Sequence, residues 1–233
     1  MTHPLDRPVW SALTGERQAH LALGDARAMR FDPAYALFAA ARDDAPESVE
    51  DLARLIPEGG AVGLVEADDV ALPPGAPARH AACVQMTAHT LTAGGPDLAF
   101  EALGDGDAAE MLALATLTEP GPFFEKTHRL GDFIGVKQGG RLVAMAGERM
   151  KPDGFTEVSG VCTHPDWRGR GYAAGLMRAV AARILARGET AFLHAYAANA
   201  GAIGLYESLG FSVRTSITFT VLGDGGSAGH GHG

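Results

Sequence analysis

The feature that most constrains the fold is a strand-to-helix junction in the last third of the 233-residue chain. The sequence HPDWRGRGYAAGL ends a strand-like run at Pro165 and places glycines at 169 and 171 directly before a helix-like run. Glycines without side chains, free N–H groups at a helix start and the positive end of the helix dipole suit a phosphate group. Arg168 and Arg170 add positive charge. The junction therefore predicts a diphosphate-binding loop, although a plain tight turn would use the same glycines.

Two other nucleotide-binding motifs share part of this pattern. Gly169, Gly171 and Ala174 fit GxGxx[GA], the dinucleotide fingerprint. The next strand-like run, TAFLHAYAAN, ends without the acidic residue that would bind the ribose, and too little chain follows to complete that sheet. A P-loop would need a GK[ST] sequence after its glycines, and none occurs here. The loop therefore favours neither a dinucleotide nor a nucleoside triphosphate.

Composition and charge exclude several classes of protein. Hydrophobic residues make up 46% of the chain and charged residues 20%, which allows a sizeable core, and the apolar stretches are too short to span a bilayer. The net charge of -9 argues against binding to nucleic acid. Cys83 and Cys162 form no CxxC pair, so we expect neither a disulfide framework nor a metal site. The N-terminus does not resemble a secretion signal, and we expect a cytoplasmic protein.

The chain predicts two α/β segments and a tail. Residues 68–80 and 91–97 are rich in Pro and Gly. We place a boundary near the second, between an N-terminal α/β region at 1–92 and a larger domain at 97–222. Residues 223–233 are Gly-rich, have nothing to bury and predict a disordered tail, in which His230 and His232 would bind metal only adventitiously.

Periodicity and turn residues predict the secondary structure of both segments. The N-terminal region predicts helices at 9–22 and 48–55 and strands at 61–66 and 81–88. The larger domain predicts strands at 98–103, 133–138, 141–151, 155–165, 190–196 and 211–222, and helices at 107–118, 171–188 and 200–210.

The glycine loop is accompanied by a second motif. VCTHPDWRGRGYA resembles the cofactor motif of the GNAT superfamily of acetyltransferases, [QR]xxGx[GA], and NAGAIGLYESLGF resembles that family's NxxAxxxYxxxGF segment. The specified positions are filled by Arg168, Gly171 and Ala173, and by Asn199, Ala202, Tyr206, Gly210 and Phe211. The resemblance covers roughly 97–222 and implies an α/β fold with a mixed, mostly antiparallel sheet flanked by helices. Residues 1–90 contain no copy of the cofactor motif, and a tandem arrangement with a degenerate GNAT-like N-terminal half is a hypothesis.

The resemblance implies an acyl-CoA-dependent N-acyltransferase, with acetyl-CoA as donor and a primary amine, small or within a peptide, as acceptor. It implies that the loop amides hold the pyrophosphate and that the backbone of the preceding strand pairs with the pantetheine arm. The implied cofactor-binding residues are Val161, Cys162, Thr163, Arg168, Gly169, Arg170, Gly171, Tyr172, Ala173 and Asn199. We interpret Cys162 as a small buried residue and not as a nucleophile.

Three residues are candidates for proton transfer. The motif implies Tyr206 as the general acid, since a phenol with a pKa of about 10 matches an alkyl thiolate; without the motif it would be a core tyrosine. Glu157 is the candidate base from its spacing to Arg168 in related enzymes, and a solvent-facing strand glutamate is an equal alternative. His194 is a reserve candidate, with a satisfied core histidine as its alternative.

A non-catalytic acyl-CoA sensor would retain the loop without the chemistry, and Tyr206 favours the enzyme over that alternative. We expect the loop at 119–132 and the N-terminal region to shape the acceptor pocket. The negative net charge mildly favours a cationic or neutral amine. The sequence leaves the acceptor, the oligomeric state and the identity of the base open.

Overall fold

The computed structural model describes residues 3–95 and 98–224 of the chain, which form five α-helices and eleven strands. The helices are α1 (Pro8–Thr14), α2 (Pro46–Arg54), α3 (Ala108–Thr118), α4 (Tyr172–Ala186) and α5 (Ala200–Ser208). The strands are β1 (Ala22–Gly24), β2 (Ala28–Phe31), β3 (Ala39–Ala41), β4 (Ala61–Glu66), β5 (Ala78–Ala88), β6 (Glu101–Leu103), β7 (Phe133–Gln138), β8 (Arg141–Glu148), β9 (Phe155–Thr163), β10 (Thr190–Tyr196) and β11 (Ser212–Gly223). No helix in these ranges is apolar over enough of its length to cross a membrane.

An eight-stranded sheet in the order β4-β11-β5-β10-β9-β8-β7-β6 forms the centre of the molecule. Its neighbouring strands are antiparallel except for β9 and β10, which are parallel. β1, β2 and β3 form a smaller antiparallel sheet. A parallel bridge between Phe38 and Gly63 joins it to the large sheet. The predicted fold class, a mixed and mostly antiparallel sheet flanked by helices, is confirmed.

The two halves of the chain repeat one connectivity. β1 to β3 form a meander, α2 follows, and β4 lies parallel to the start of β3; β7 to β9 form a second meander, followed by α4 and the parallel strand β10. The last strand of each half pairs with a strand of the other half: β5 pairs with β10, and β11 pairs with β4. The predicted segments 1–92 and 97–222 thus share one sheet. That the first is a degenerate copy of the second stays a prediction, which this connectivity supports.

The two faces of the sheet are covered by different parts of the chain. α4 packs on one face, where its Leu176 and Met177 belong to the same buried cluster as Leu193 of β10. The N-terminal segment and α1 cover the other face, where Leu5 contacts the cluster around Phe192. Phe192 and Leu193 are adjacent in β10, so their side chains point to opposite faces. The residues of β9 and β10 therefore lie between two packed layers.

Most predicted elements agree with the structure, and the strands predicted at 61–66, 133–138 and 190–196 match β4, β7 and β10 at both ends. The helix predicted at 9–22 is wrong beyond Thr14, because Gly15 takes an extended conformation with ψ 159° and ends α1. β1, β2 and β3 were not predicted. Gly223, assigned to the tail, is the last residue of β11 and pairs with Ala61. The rest of the predicted tail from 225 to 233, including both of its histidines, lies outside the described residues.

Candidate active site

The parallel strands β9 and β10 pair only at their beginnings. Their register ends at the pair Glu157–Phe192. Beyond it, β9 continues to Thr163 beside β8 and β10 continues to Tyr196 beside β5, with no described strand between them. The two strands therefore diverge and leave a cleft at their carboxyl ends. The backbone edge of β9 that faces the cleft can accept an extended group as an additional strand.

A bulge in β9 lies at the inner end of the cleft. The pairing with β8 shifts by one residue between Met145–Cys162 and Gly147–Ser159, so β9 contains one extra residue there. Gly160, in the bulge, has φ +62°, a conformation that favours glycine. A Cβ at this position would also approach Cε1 of Phe133 to 2.9 Å. Both the conformation and the close contact therefore require glycine at 160.

The glycine loop, residues 164–171, connects β9 to α4. It begins with a 3-10 turn whose His164 Nδ1 accepts a hydrogen bond from the N–H of Asp166 at 3.3 Å. Gly169 and Gly171 have φ +75° and +77°, and a Cβ on either would meet no atom within 4 Å. Gly171 is the N-cap of α4 and brings no side-chain cap. The first turn of α4 therefore has no capping side chain, and the space beside the two glycines is open, as an anion site requires.

A cavity of about 340 Å³ extends from this loop along the last three residues of β9. Its walls come from β9, from the loop and the first turn of α4, from the end of α3 and from α5. They are formed by Val161, Cys162, Thr163, Trp167, Arg168, Gly169, Arg170, Gly171, Tyr172, Ala173, Ala174, Thr118 and Leu205. Nine of the ten residues predicted to bind the cofactor therefore line one cavity.

Asn199 is the tenth, and it has another contact. Its Oδ1 accepts a hydrogen bond from the N–H of Ala202 at 3.0 Å and caps α5. It does not line the cavity formed by the other nine residues. A cofactor contact of Asn199 stays a prediction.

The mouth of the cavity is positively charged. Among the described residues, no carboxylate forms an ion pair with Arg168 or Arg170. The Arg170 guanidinium lies 4.3 Å from the ring centroid of Trp167, which holds it at the edge of the loop. Open space at two glycines, uncapped amides and unneutralised arginines together fit a diphosphate group.

Cys162 is buried, with 6% of its surface exposed. Burial raises the pKa of its thiol to about 11, so the sulfur is protonated at neutral pH. This agrees with the interpretation of Cys162 as a small buried residue. Within residues 3–95 and 98–224, no group of three or more His, Cys, Asp or Glu side chains could hold a metal ion.

Tyr206 lies on α5, directly after the cavity-lining Leu205. Its half-buried ring packs against the core cluster beneath α4. Burial raises the pKa of the phenol above its ordinary value of 10.0, so the hydroxyl keeps its proton at neutral pH. The ring does not line the cavity itself. A general acid and a core tyrosine therefore both remain compatible with its position.

Glu157 is enclosed, with 1% of its surface exposed, and the alternative of a solvent-facing glutamate is wrong. Arg149 donates from Nε to Oε2 and from Nη2 to Oε1, both at 2.8 Å. His194 Nδ1 lies 2.8 Å from Oε1. Burial alone would raise the pKa of Glu157, but the charge and hydrogen bonds of Arg149 and the bond from His194 outweigh it and lower the pKa to about 2. Such a carboxylate has little affinity for a proton, and its role as base stays a prediction.

His194 has a partner at each ring nitrogen, as a satisfied core histidine does. Its Nε2 lies 2.9 Å from the amide nitrogen of Gln85. The Gln85 oxygen accepts a hydrogen bond from Arg214, so its amide nitrogen is the atom that donates to His194 and to the carbonyl oxygen of Leu5. His194 therefore accepts at Nε2 and donates from Nδ1 to Glu157. Sequence reasoning missed Arg149 and Gln85, since no local pattern marks residues that meet across a sheet.

The N-terminal half has a corresponding position between the ends of β3 and β4, and Arg7 occupies it. Its guanidinium donates to the carbonyl oxygens of Ala41 and Arg42 and, from Nε at 2.9 Å, to Oε2 of Glu66. The segment from β3 to α2 contains Arg42, two aspartates and an alanine but no glycine. Its carboxylates would repel a diphosphate.

Comparison with known proteins gives relatives over nearly the whole chain. The family model of FR47-like proteins matches residues 133–220. A solved structure from Novosphingobium aromaticivorans, described as an acetyltransferase of the GNAT family, is 50% identical, covers 95% of this chain and 99% of its own, and superposes with a TM-score of 0.88.

More distant structures share the fold. A GCN5-related N-acetyltransferase from Kribbella flavida is 18% identical, with 93% of this chain and 96% of that chain covered and a TM-score of 0.61. A GCN5-related N-acetyltransferase-like protein from Streptococcus suis is 16% identical, with 92% of each chain covered and a TM-score of 0.60. Among curated proteins, none matches this chain.

Proposed function

Because this chain belongs to the GNAT family of acetyltransferases, we propose that it transfers the acetyl group of acetyl-CoA to a primary amine. The observation that carries the proposal is the cleft between β9 and β10, which begins at a bulge and ends at an uncapped, glycine-rich helix start. A linear molecule with a diphosphate at one end and a reactive thioester at the other matches that arrangement.

The chain's own groups would hold the donor in two ways. The N–H groups of Gly169, Gly171 and Ala173 would bind the diphosphate, with Arg168 and Arg170 balancing its charge. The free backbone edge of β9 at 161–163 would pair with the amides of the pantetheine arm. Acetyl-CoA supplies a thioester carbonyl that an amine can attack.

The reaction then needs two proton movements. One proton must leave the attacking amine nitrogen, and one must reach the sulfur as its bond to carbon breaks. Tyr206 is the proposed donor to the sulfur, because burial keeps its phenol protonated at neutral pH and a phenol can pass its proton to a departing thiolate. Glu157 is the base predicted from the sequence, but its ion pair with Arg149 favours a positioning role. In that role it would hold Arg149 and His194 at the inner end of the cleft.

Release of CoA tests this function. The protein is incubated with acetyl-CoA and a panel of amines, amino acids and peptides, and free thiol is measured. Release that depends on one class of amine would support the transferase and would identify its acceptor. Thermal unfolding in the presence of acetyl-CoA, NAD or ATP gives a second readout, because a ligand of the folded state raises the melting temperature.

An acyl-CoA sensor is the second candidate. It is favoured by the enclosure of Glu157 and by the position of Tyr206 outside the lining of the cavity. A sensor would bind acetyl-CoA and show a raised melting temperature, yet would release no CoA with any amine of the panel.

A further inference from the structure

The direction of the cavity fixes where the acyl group must lie if the proposed function holds. The phosphate-binding end is the loop at 168–171, and the cavity follows β9 backwards from Thr163 to Val161. The next residue in that direction is Gly160, in the bulge. A thioester at the far end of the arm from the diphosphate would therefore lie near Gly160.

Two aromatic rings face the bulge at this point. A Cβ built on Gly160 would lie 2.9 Å from Cε1 of Phe133 and 3.6 Å from Cε2 of Phe123. The two rings contact each other edge to face, with centroids 5.8 Å apart and planes at 88°. Phe133 is 2% exposed, whereas Phe123 is half-buried. The side of the bulge towards which a side chain at 160 would point is therefore closed by aromatic carbon.

Phe133 has no room to withdraw. Its ring lies directly over Gly147 of β8, where a Cβ would come within 2.5 Å of three of its ring atoms. It also packs with Met111 and Leu114 of α3 in a buried cluster. Two glycines, at 147 and 160, thus create the space that this ring fills.

Phe123 lies on a loop that is fastened to the N-terminal half of the chain. The hydroxyl of Thr127 accepts from the N–H of Phe124 at 2.7 Å and donates to the carbonyl oxygen of Tyr35 at 2.7 Å. The N–H of Lys126 donates to the carbonyl oxygen of Ala34 at 2.8 Å. These bonds fasten the loop at Lys126 and Thr127, three and four residues after Phe123, so the ring of Phe123 is kept near the bulge.

We propose that Phe123 and Phe133 form a wall that sets the length of the acyl chain, admitting acetyl and excluding butyryl and longer chains. The inference rests on the proposed function and adds a specificity-determining pair to it. Longer chains would have to displace a ring that is packed or fastened, since a close-packed wall does not expand to fit extra methylenes. The half-buried Phe123 is the residue whose removal would open space without dismantling the core.

The test measures binding by calorimetry for CoA, acetyl-CoA, butyryl-CoA and hexanoyl-CoA. We expect the unaltered protein to bind acetyl-CoA at least about tenfold more tightly than butyryl-CoA. Phe123→Ala should bring the two affinities within about threefold of each other while the affinity for CoA itself is kept. Phe124→Ala is the matched control, because it alters the adjacent ring of the same loop, none of whose atoms is among the three nearest to a Cβ built on Gly160. Phe124→Ala should bind the four CoA compounds with the same affinities as the unaltered protein.

Each result supports or overturns the inference. Equal affinities for all chain lengths in the unaltered protein would overturn it, as would an unchanged preference in a folded Phe123→Ala. Phe123→Leu, which keeps more of the packing, repeats the comparison if the alanine variant does not fold. Failure of every CoA compound to bind would instead overturn the proposed function together with the inference, so the two failures are distinguishable.

Discussion

Arg149 and Glu157 form a two-pronged ion pair at the inner end of the cleft, where the Arg149 side chain also contacts the N-terminal half of the chain. Both nitrogen-to-oxygen distances are 2.8 Å. The Arg149 guanidinium also lies 4.7 Å from the ring centroid of Phe38, which belongs to the N-terminal half. The side chains are 12% and 1% exposed, so loss of one partner would leave the other charge enclosed and unpaired.

This pair gives stability that depends on pH. Folding lowers the pKa of Glu157 from its ordinary value of 4.5 to about 2, so its contribution is fully present above about pH 5 and is lost as the pH falls towards 2. We expect a loss on the order of 2 to 3 kcal/mol over that interval. Glu157→Gln should be destabilised at pH 7 and should show a weaker decline in acid.

Urea unfolding between pH 3 and pH 7 measures both effects. Glu125→Gln is the control, since Glu125 is exposed and its carboxylate forms no ion pair in the described chain. The same acid dependence in Glu157→Gln and in the unaltered protein would contradict the assignment. The pH profile of turnover separates the two roles of Glu157. If Glu157 is a positioning residue, its substitution lowers turnover without moving the midpoint of the pH profile. If Glu157 is the base, its substitution moves that midpoint.

Most of the second half of the fold could be predicted because its signals are local. The glycine pair at 139 and 140 marks the β7–β8 hairpin, and the apolar period of residues 176 to 184 marks α4. The family resemblance at the glycine loop likewise identified nine cavity-lining residues, since an anion site at a helix start needs small residues next to one another in sequence and leaves a recognisable motif.

The remaining features depend on contacts between distant parts of the chain. β3 consists of three alanines, which have low strand propensity and give no alternating pattern. The exchange of β5 and β11 between the halves pairs residues more than 100 positions apart, as Ala88 pairs with Ala191. The enclosure of Glu157 depends on Arg149 and on the N-terminal segment that covers this face. No local pattern could distinguish it from an exposed glutamate.

Substitution of Gly171 tests the anion site. Gly171→Val should weaken CoA binding by about tenfold or more, because a branched side chain would fill the open space beside the first amides of α4. Gly188→Val is the matched control at the other end of the same helix. Its φ of +79° and open surroundings give similar backbone strain away from the cavity. Calorimetry on both folded variants is the measurement, and equal losses of affinity would show that strain, not the phosphate site, is responsible.

The position of Arg7 predicts the stoichiometry. Because its guanidinium occupies the space between the ends of β3 and β4, we expect one CoA per chain although the connectivity occurs twice. Titration calorimetry with CoA should give a molar ratio near one. A ratio near two would contradict this expectation and would mean that the N-terminal half also binds CoA. Titration of Arg7→Ala would then show whether Arg7 affects the second binding event.

The last prediction concerns Tyr206. Tyr206→Phe keeps the ring and its packing on α5, so the dissociation constant of CoA should hardly change. The variant loses the hydroxyl that would protonate the leaving sulfur, and turnover should fall by about 10²- to 10⁴-fold if that step limits the rate. Steady-state kinetics with acetyl-CoA, together with calorimetry for CoA, measure the two quantities. An acyl donor with a more acidic thiol provides the control, because its sulfur can leave without a proton and should restore part of the lost rate. Unchanged turnover with acetyl-CoA would mean that Tyr206 is a core residue, since removal of the hydroxyl from a ring that only packs has little effect on turnover.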